Sequence, residues 1–224
     1  NFPPAIWAFK TAAALAAGNT IVVKAPSYDP MTLLVLHEML HEAGLPAGVA
    51  QCLTGRGSVV GDLLVDDPRI ACVNFTGSTD AGLSIAATAA KHLTDYKFEL
   101  GGNDPFIVFE DADMDLVVKE AEDQARNNRQ CCTGSKRFLV HNSLKEEFIR
   151  RLGAELDKLV IGDPMDPAVN MGPMIAERAA KQVEKQVELT VAQGARIVRG
   201  GKRSGAFYEP TILADVTLDM DIAR

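Results

Sequence analysis

The chain has 224 residues, 47% of them hydrophobic and 24% charged, with a net charge of −7 at neutral pH. That length buries a sizeable core as one large domain or two small ones, and the acidic balance argues against sequence-independent binding to nucleic acid or to an anionic membrane, both of which need a basic surface. No apolar run reaches the roughly 18 residues that span a bilayer, and Pro3 and Pro4 stand where a signal peptide needs an apolar stretch.

The first hundred or so residues alternate helical and extended patterns. The Ala-rich "AFKTAAALAAG" reads as a helix stopped by Gly18, and "TIVVKA" as a short β-branched strand. Asp29-Pro30 opens "MTLLVLHEMLHEAG", where Leu33, Leu36, Leu40 and Ala43 share one helical face and Gly44 ends it. "GVAQCLTG" predicts a strand, "SVVGDLLVDD" a helix, "IACVNFTG" a strand, "STDAGLSIAATAAKHL" a helix and "YKFELGG" a strand. Strands alternating with helices at this spacing imply βαβ units and a parallel sheet.

A second α/β unit begins near Gly102, so the boundary falls at Gly101-Gly102 and the expected domains are 1–101 and 102–224. "DPFIVFEDAD" reads as a strand and turn, "MDLVVKEAEDQARNN" as a helix, "SKRFLVH" as a strand, and "SLKEEFIRRLGAELDKL" as a helix with Ser143 as its cap. The Pro/Gly-rich "GDPMDPAVNMGPMI" is a loop, and "AERAAKQVEKQVELTVAQG" a long helix with Lys and Glu on its outer face. Asn1 leads straight into patterned sequence and "LDMDIAR" stops abruptly, so the chain reads as the middle of a longer protein. Such a piece is expected to be inactive or nearly so on its own, and prone to aggregate through exposed apolar edges. Its cysteines, Cys52, Cys72, Cys131 and Cys132, make no disulfide framework, which favours a reducing, cytoplasmic setting.

Three places carry residues suited to chemistry. In "VNFTGSTDAG" an apolar strand runs into Gly77-Ser78 and then a helix, and a glycine turn feeding a helix N-terminus offers free N–H groups to a phosphate. Without the full G-x-G-x-x-G fingerprint, most such turns bind nothing. In "FELGGND", Glu99 sits at a strand end beside two glycines, a place for a catalytic carboxylate or for a plain solvated one. In "ARNNRQCCTGSKRF", Cys131 and Cys132 follow a polar helix end with cations at Arg126, Arg129, Lys136 and Arg137. Positive charge stabilises a thiolate, so one cysteine suits a nucleophile. Two small semi-buried residues, or a redox pair closing a strained vicinal ring, are the other readings.

The motifs "NFP", Lys24 after a strand, "FTGS", "ELGG" and "QCCTGSKRF" occur in that order, joined by "LTGRGSVVG", "EDADMD", "IGDPMDP", "MGPMI" and "YEPTIL". Over essentially the whole chain this resembles the NAD(P)-dependent aldehyde dehydrogenase superfamily. The resemblance implies a doubly wound parallel, Rossmann-like NAD(P)-binding domain over 1–101, lacking its N-terminal part. Part of a second α/β catalytic domain over 102–224 follows, lacking its C-terminal part, with Asn1, Glu99 and Cys132 converging on the cleft between the two. The nucleophile lies two residues after the Gln of G-Q-x-C, here Cys132, with Cys131 as the variable position. Asn1 of the N-F-P motif donates its amide to the oxyanion, and Glu99 of E-L-G-G is the general base. The resemblance places the cofactor, NAD or NADP, at Lys24, Ser27, Gly55, Gly77, Ser78 and Leu100, with no metal. It also implies a small aldehyde substrate and a homodimeric or homotetrameric parent.

Those residue types suit the reaction. A thiolate adds to the aldehyde, fixed donors hold the resulting O⁻, hydride leaves to the nicotinamide, and a water deprotonated by Glu99 hydrolyses the thioester. Two positions depart from the pattern. The Gly of G-Q-x-C is Arg129, and a position often occupied by a Glu that holds the 2′-hydroxyl of NAD is Ser27, so NADP is expected to be tolerated. The resemblance extends to succinate-semialdehyde dehydrogenases and implies that Arg126, six residues before Cys132, holds the carboxylate of a short semialdehyde such as succinate semialdehyde. The competing expectation is that Arg126 pairs with Glu122 at i−4. Lactaldehyde or another short-chain aldehyde is the alternative substrate. A non-catalytic relative and a Cys131–Cys132 redox sensor are the alternative functions.

Overall fold

The computed structural model of the protein describes residues 2–223. The chain divides into two compact units, Asn1–Gly101 and Gly102–Arg224. In the first, α1 spans Pro3–Ala16; proline in its first turn costs no hydrogen bond, and alanine fills most of its second half. The strand β1 (Ile21–Lys24) leads to α2 (Pro30–Glu42), which Asp29 caps by accepting from the Thr32 amide at 3.4 Å and the Thr32 hydroxyl at 2.6 Å. Then β2 (Ala50–Leu53) returns parallel to β1, pairing Ile21 with Ala50. The single helix expected over "SVVGDLLVDD" is instead a wide turn at Gly57–Gly61 followed by a short helix α3, Asp62–Val65. The strand β3 (Cys72–Gly77), the helix α4 (Thr79–Ala89) and the strand β4 (Asp95–Leu100) complete the unit, with β3 and β4 parallel from Cys72↔Asp95 to Gly77↔Leu100.

In the second unit β5 (Asp104–Val108) and β6 (Ser135–Val140) are again parallel, joined through α5 (Met114–Asp123). Asp113 caps α5 by accepting from the amides of Asp115 and Leu116. Next come α6 (Lys145–Leu156) and α7 (Glu177–Ala192). The strand β7 (Arg196–Arg199) pairs antiparallel with β10 (Ile212–Ala214), and between them β8 (Arg203–Ser204) and β9 (Phe207–Tyr208) form a small hairpin. These last four strands have two to four residues each, too short for a periodic pattern to announce them. Ser143 is not the cap of α6. Leu144 holds that position with no side-chain bond, because the Ser143 hydroxyl is 2.8 Å from Nδ1 of His141.

The class is therefore α/β with parallel strand pairs, as expected; among the described residues the strands hydrogen-bond two by two. The core of the second unit is contiguous. Val117, Val118, Ala121 and Ala125 from the α5 side meet Phe148, Leu152 and Leu156, spaced four apart on α6, over Val108 of β5. A smaller cluster joins Ala180 and Val187 of α7 to Tyr208. Among the described residues no helix is long and apolar enough to cross a membrane.

Candidate active site

The residues assigned to the cofactor lie at or just past the carboxyl ends of the first unit's strands. Lys24 ends β1, and its ammonium lies 3.4 Å from the carbonyl oxygen of Gly55, which the Ser27 hydroxyl also approaches at 3.5 Å. Burial holds the Lys24 ammonium below its usual range. Gly55 has a φ of +147°, and a Cβ there would sit 2.4 Å from Cγ2 of Val60, so this turn excludes side chains. Gly77 ends β3, and Ser78 caps α4 by accepting from the Ala81 amide at 3.3 Å. One turn into α4, a Cβ on Gly82 would meet Cδ2 of Leu100 at 2.9 Å, so glycine permits α4 to lie against the end of β4.

Glu99 is exposed on β4 opposite Thr76, whose buried hydroxyl finds no partner among the described residues. Its carboxylate acts on Lys10, which sequence reasoning passed over. Burial lowers the Lys10 pKa, and the charge of Glu99 partly restores it. The signal was available, because Lys10 is the single charge in the otherwise uncharged α1. Asn1 lies outside the described residues.

The cysteine loop belongs to the second unit. Cys131 and Cys132 are both free and exposed. Cys131 Sγ lies 3.3 Å from the Thr133 hydroxyl. That hydroxyl, then the Thr133 amide, lowers the Cys131 pKa. The four cations expected to stabilise a thiolate are engaged elsewhere. Lys136 donates to the carbonyls of Gly134 at 2.9 Å and Gly102 at 3.1 Å, and Arg137 to that of Asn103 at 2.6 Å. Arg126 pairs with Glu122 at 2.9 Å and with Asp123 at 3.4 Å, the internal pairing that competed with its substrate role. Arg129 donates to the carbonyls of Ala121 and Ser135 and sits 4.9 Å from the centre of the Phe138 ring. Burial brings the Arg129 pKa down to about 10. The cations around the loop bind backbone oxygen and carboxylate.

Uncharged side chains hold the same loop, and these too were missed. The Gln124 carbonyl accepts from the Ser135 amide at 2.7 Å. Asn128 donates to the carbonyls of Gly172 and Pro173 at 3.0 and 3.4 Å, and Gln130 accepts from the Ile175 amide at 3.1 Å. Both ends of the cysteine turn are therefore tied, one to α5 and β6, the other to the "MGPMI" loop. Rigid support of this kind is what a nucleophile requires. Asn128 and Arg129 have φ of 50° and 51°. For the arginine that left-handed backbone costs about 1–2 kcal/mol, which two charge-assisted bonds of about 1.5–3 kcal/mol each more than offset.

The family model described as "Aldehyde dehydrogenase family" matches residues 1–224. Succinate-semialdehyde dehydrogenase [NADP(+)] of Escherichia coli K12 is 40% identical over 228 residues, covering 100% of this chain and 47% of that protein. Lactaldehyde dehydrogenase of the same organism is 40% identical over 227 residues, covering 99% and 47%. Among solved structures, succinate-semialdehyde dehydrogenase from Burkholderia pseudomallei superposes with a TM-score of 0.95 at 38% identity, over 100% of this chain and 47% of that one. A 3,6-anhydro-L-galactose dehydrogenase in complex with NAP gives 0.94 at 39% identity, over 99% and 48%. The chain spans about half the length of the relatives it matches. With the family model covering every residue, the chain belongs to the aldehyde dehydrogenase family.

Proposed function

We propose that the protein carrying this chain oxidises an aldehyde to a carboxylic acid with NAD(P)⁺ through a covalent cysteine intermediate. The observation that carries the reading is the Cys131–Cys132 turn, open to solvent yet tied at both ends, in a chain of this family. Cys132 is the nucleophile and Cys131 its neighbour. Addition of the Cys132 thiolate to the aldehyde carbon makes a thiohemiacetal whose oxyanion is held by the Asn1 amide and the Cys132 backbone N–H. Hydride then leaves that carbon, and the thioester is hydrolysed by a water that gives its proton to Glu99.

A bound NAD(P)⁺ would supply the hydride acceptor. The first unit fits such a group: an ammonium and a hydroxyl share the Gly55 carbonyl, Ser78 opens a helix of 11 residues, and glycines keep the turns clear. Ser27 in place of a carboxylate leaves room for a 2′-phosphate, and the Escherichia coli succinate-semialdehyde relative is named for NADP⁺. An oligomeric parent and a cytoplasmic setting belong to the same reading; the free thiols support the latter.

For the substrate we favour a short semialdehyde. Arg126 keeps its pairing with Glu122, yet a guanidinium has five donors and a planar fork suited to a second carboxylate. Lactaldehyde remains the second reading, because the lactaldehyde relative is as similar. In the full-length protein, Glu99→Gln should leave a burst of reduced cofactor followed by slow turnover, since hydrolysis is impaired more than acylation. Loss of the burst itself would contradict the base assignment. Arg126→Ala should cut the preference in kcat/KM for succinate semialdehyde over butanal by roughly ten- to a hundredfold. An unchanged preference removes Arg126 from the substrate site.

A further inference from the structure

Arg129 stands where the family motif has glycine. We propose that it is a positioning residue, a clamp that fixes the backbone of residues 130–134 and so the placement of the Cys132 sulfur. The proposal rests on the reading of Cys132 as nucleophile. Asn128 and Arg129 are successive residues with left-handed backbone, at φ of 50° and 51°. Glycine adopts such a conformation freely, whereas a residue with a Cβ persists there only when its surroundings over-determine it. What over-determines Arg129 is its own side chain.

The guanidinium spans two carbonyls on different elements, Ala121 on α5 at 3.0 Å and Ser135 at the first position of β6. Neither anchor is loose. Ala121 is fully buried in the core, Ser135 is buried, and Phe138, whose ring the cation covers, packs against the same core. A planar group with five donors in a fixed fork suits this bridge better than the compact, freely rotating ammonium of lysine. The backbone of Arg129 takes part as well. A Cβ on Gly134 would lie 3.1 Å from the Arg129 carbonyl oxygen and 3.2 Å from that of Cys131, so the chain from 129 to 134 folds back on itself. Arg129 therefore contacts this turn through its main chain and anchors it through its side chain. A glycine in its place would give the turn without the anchor.

The test is made in the full-length protein with Arg129→Ala and Arg129→Lys. Two quantities are followed: amide hydrogen exchange across 130–134, and the burst rate of NAD(P)H formation per site titrated by burst amplitude. In the alanine variant, exchange should rise at least about tenfold while exchange in β5 and α6 stays unchanged. The burst rate per site should fall by about ten- to a hundredfold, with the aldehyde KM within roughly threefold, as expected when a reacting atom is misplaced rather than binding lost. The lysine variant should fall between alanine and the parent. Unchanged exchange and burst rate per site in the alanine variant, whatever its melting temperature, would reduce Arg129 to structural support and overturn the proposal. Lysine behaving like alanine would overturn the part given to the cation. A parent without any Cys132-dependent burst, but with exchange at 130–134 loosened by Arg129→Ala, would overturn the nucleophile reading and leave the clamp standing.

Discussion

In the unit Gly102–Arg224 the cysteine loop stands on a contiguous core, with Val117, Val118, Ala121, Phe148, Leu152 and Leu156 packed together. In Asn1–Gly101 the buried apolar positions are fewer and mostly smaller: Ala25, Leu33, Ala50, Val65 and Ala89. There the candidate residues sit on strand ends and glycine turns, placed by caps and close backbone approach rather than by a wall of side chains. On the proposed function, the difference follows from what each unit would have to hold. A nucleophile needs its sulfur fixed against a stiff support, whereas an extended nucleotide needs backbone amides and room, which side chains would fill.

The largest expected effect tests that contrast on stability. Phe148→Ala removes the ring that ties α6 to Phe138 and should destabilise the second unit by about 3–5 kcal/mol. Leu33→Ala in the first unit should cost less, about 2–3 kcal/mol. Urea unfolding measures both, and equal losses would erase the distinction. Ser78→Ala sharpens the contrast at the first unit's helix terminus. Losing the bond from the Ala81 amide should cost about 1 kcal/mol, and it should loosen amide exchange in α4 alone. The smallest effect is on thiol reactivity. Thr133 stabilises the Cys131 thiolate, so Cys131 should be alkylated at lower pH than Cys52, whose thiol is pushed up by burial. Thr133→Val should move the Cys131 profile upward and leave that of Cys52 in place. Cys52 titrating first would contradict both environments.

Much of this was legible in the sequence for identifiable reasons. The apolar stretch running into Gly77, and the Ala-rich stretch after Ser78, act through neighbours in the chain, so β3 and α4 could be read directly. Ser143 was expected to cap α6, but His141 two residues earlier competes for its hydroxyl. The loop's supports were out of reach of local pattern. Asn128 meets Gly172 across 44 positions, and Gln130 meets Ile175 across 45. Arg129 was visible as a break in the motif, yet only the packing of α5 against β6 tells where its side chain goes. The cations near the cysteines were visible in the sequence as a cluster. Their carbonyl and carboxylate partners decide what that cluster does, and those partners follow from backbone geometry rather than from composition.

The central claim is that Cys132, and not its neighbour, attacks the aldehyde. Its most direct test is the pair Cys132→Ser and Cys131→Ser in the full-length protein, assayed for aldehyde-dependent NAD(P)H formation with folding checked by circular dichroism. The account predicts that Cys132→Ser abolishes the reaction while Cys131→Ser keeps most of it, and that mass spectrometry of the aldehyde-treated parent finds the acyl group on Cys132. An inactive Cys131→Ser beside an active Cys132→Ser would contradict it.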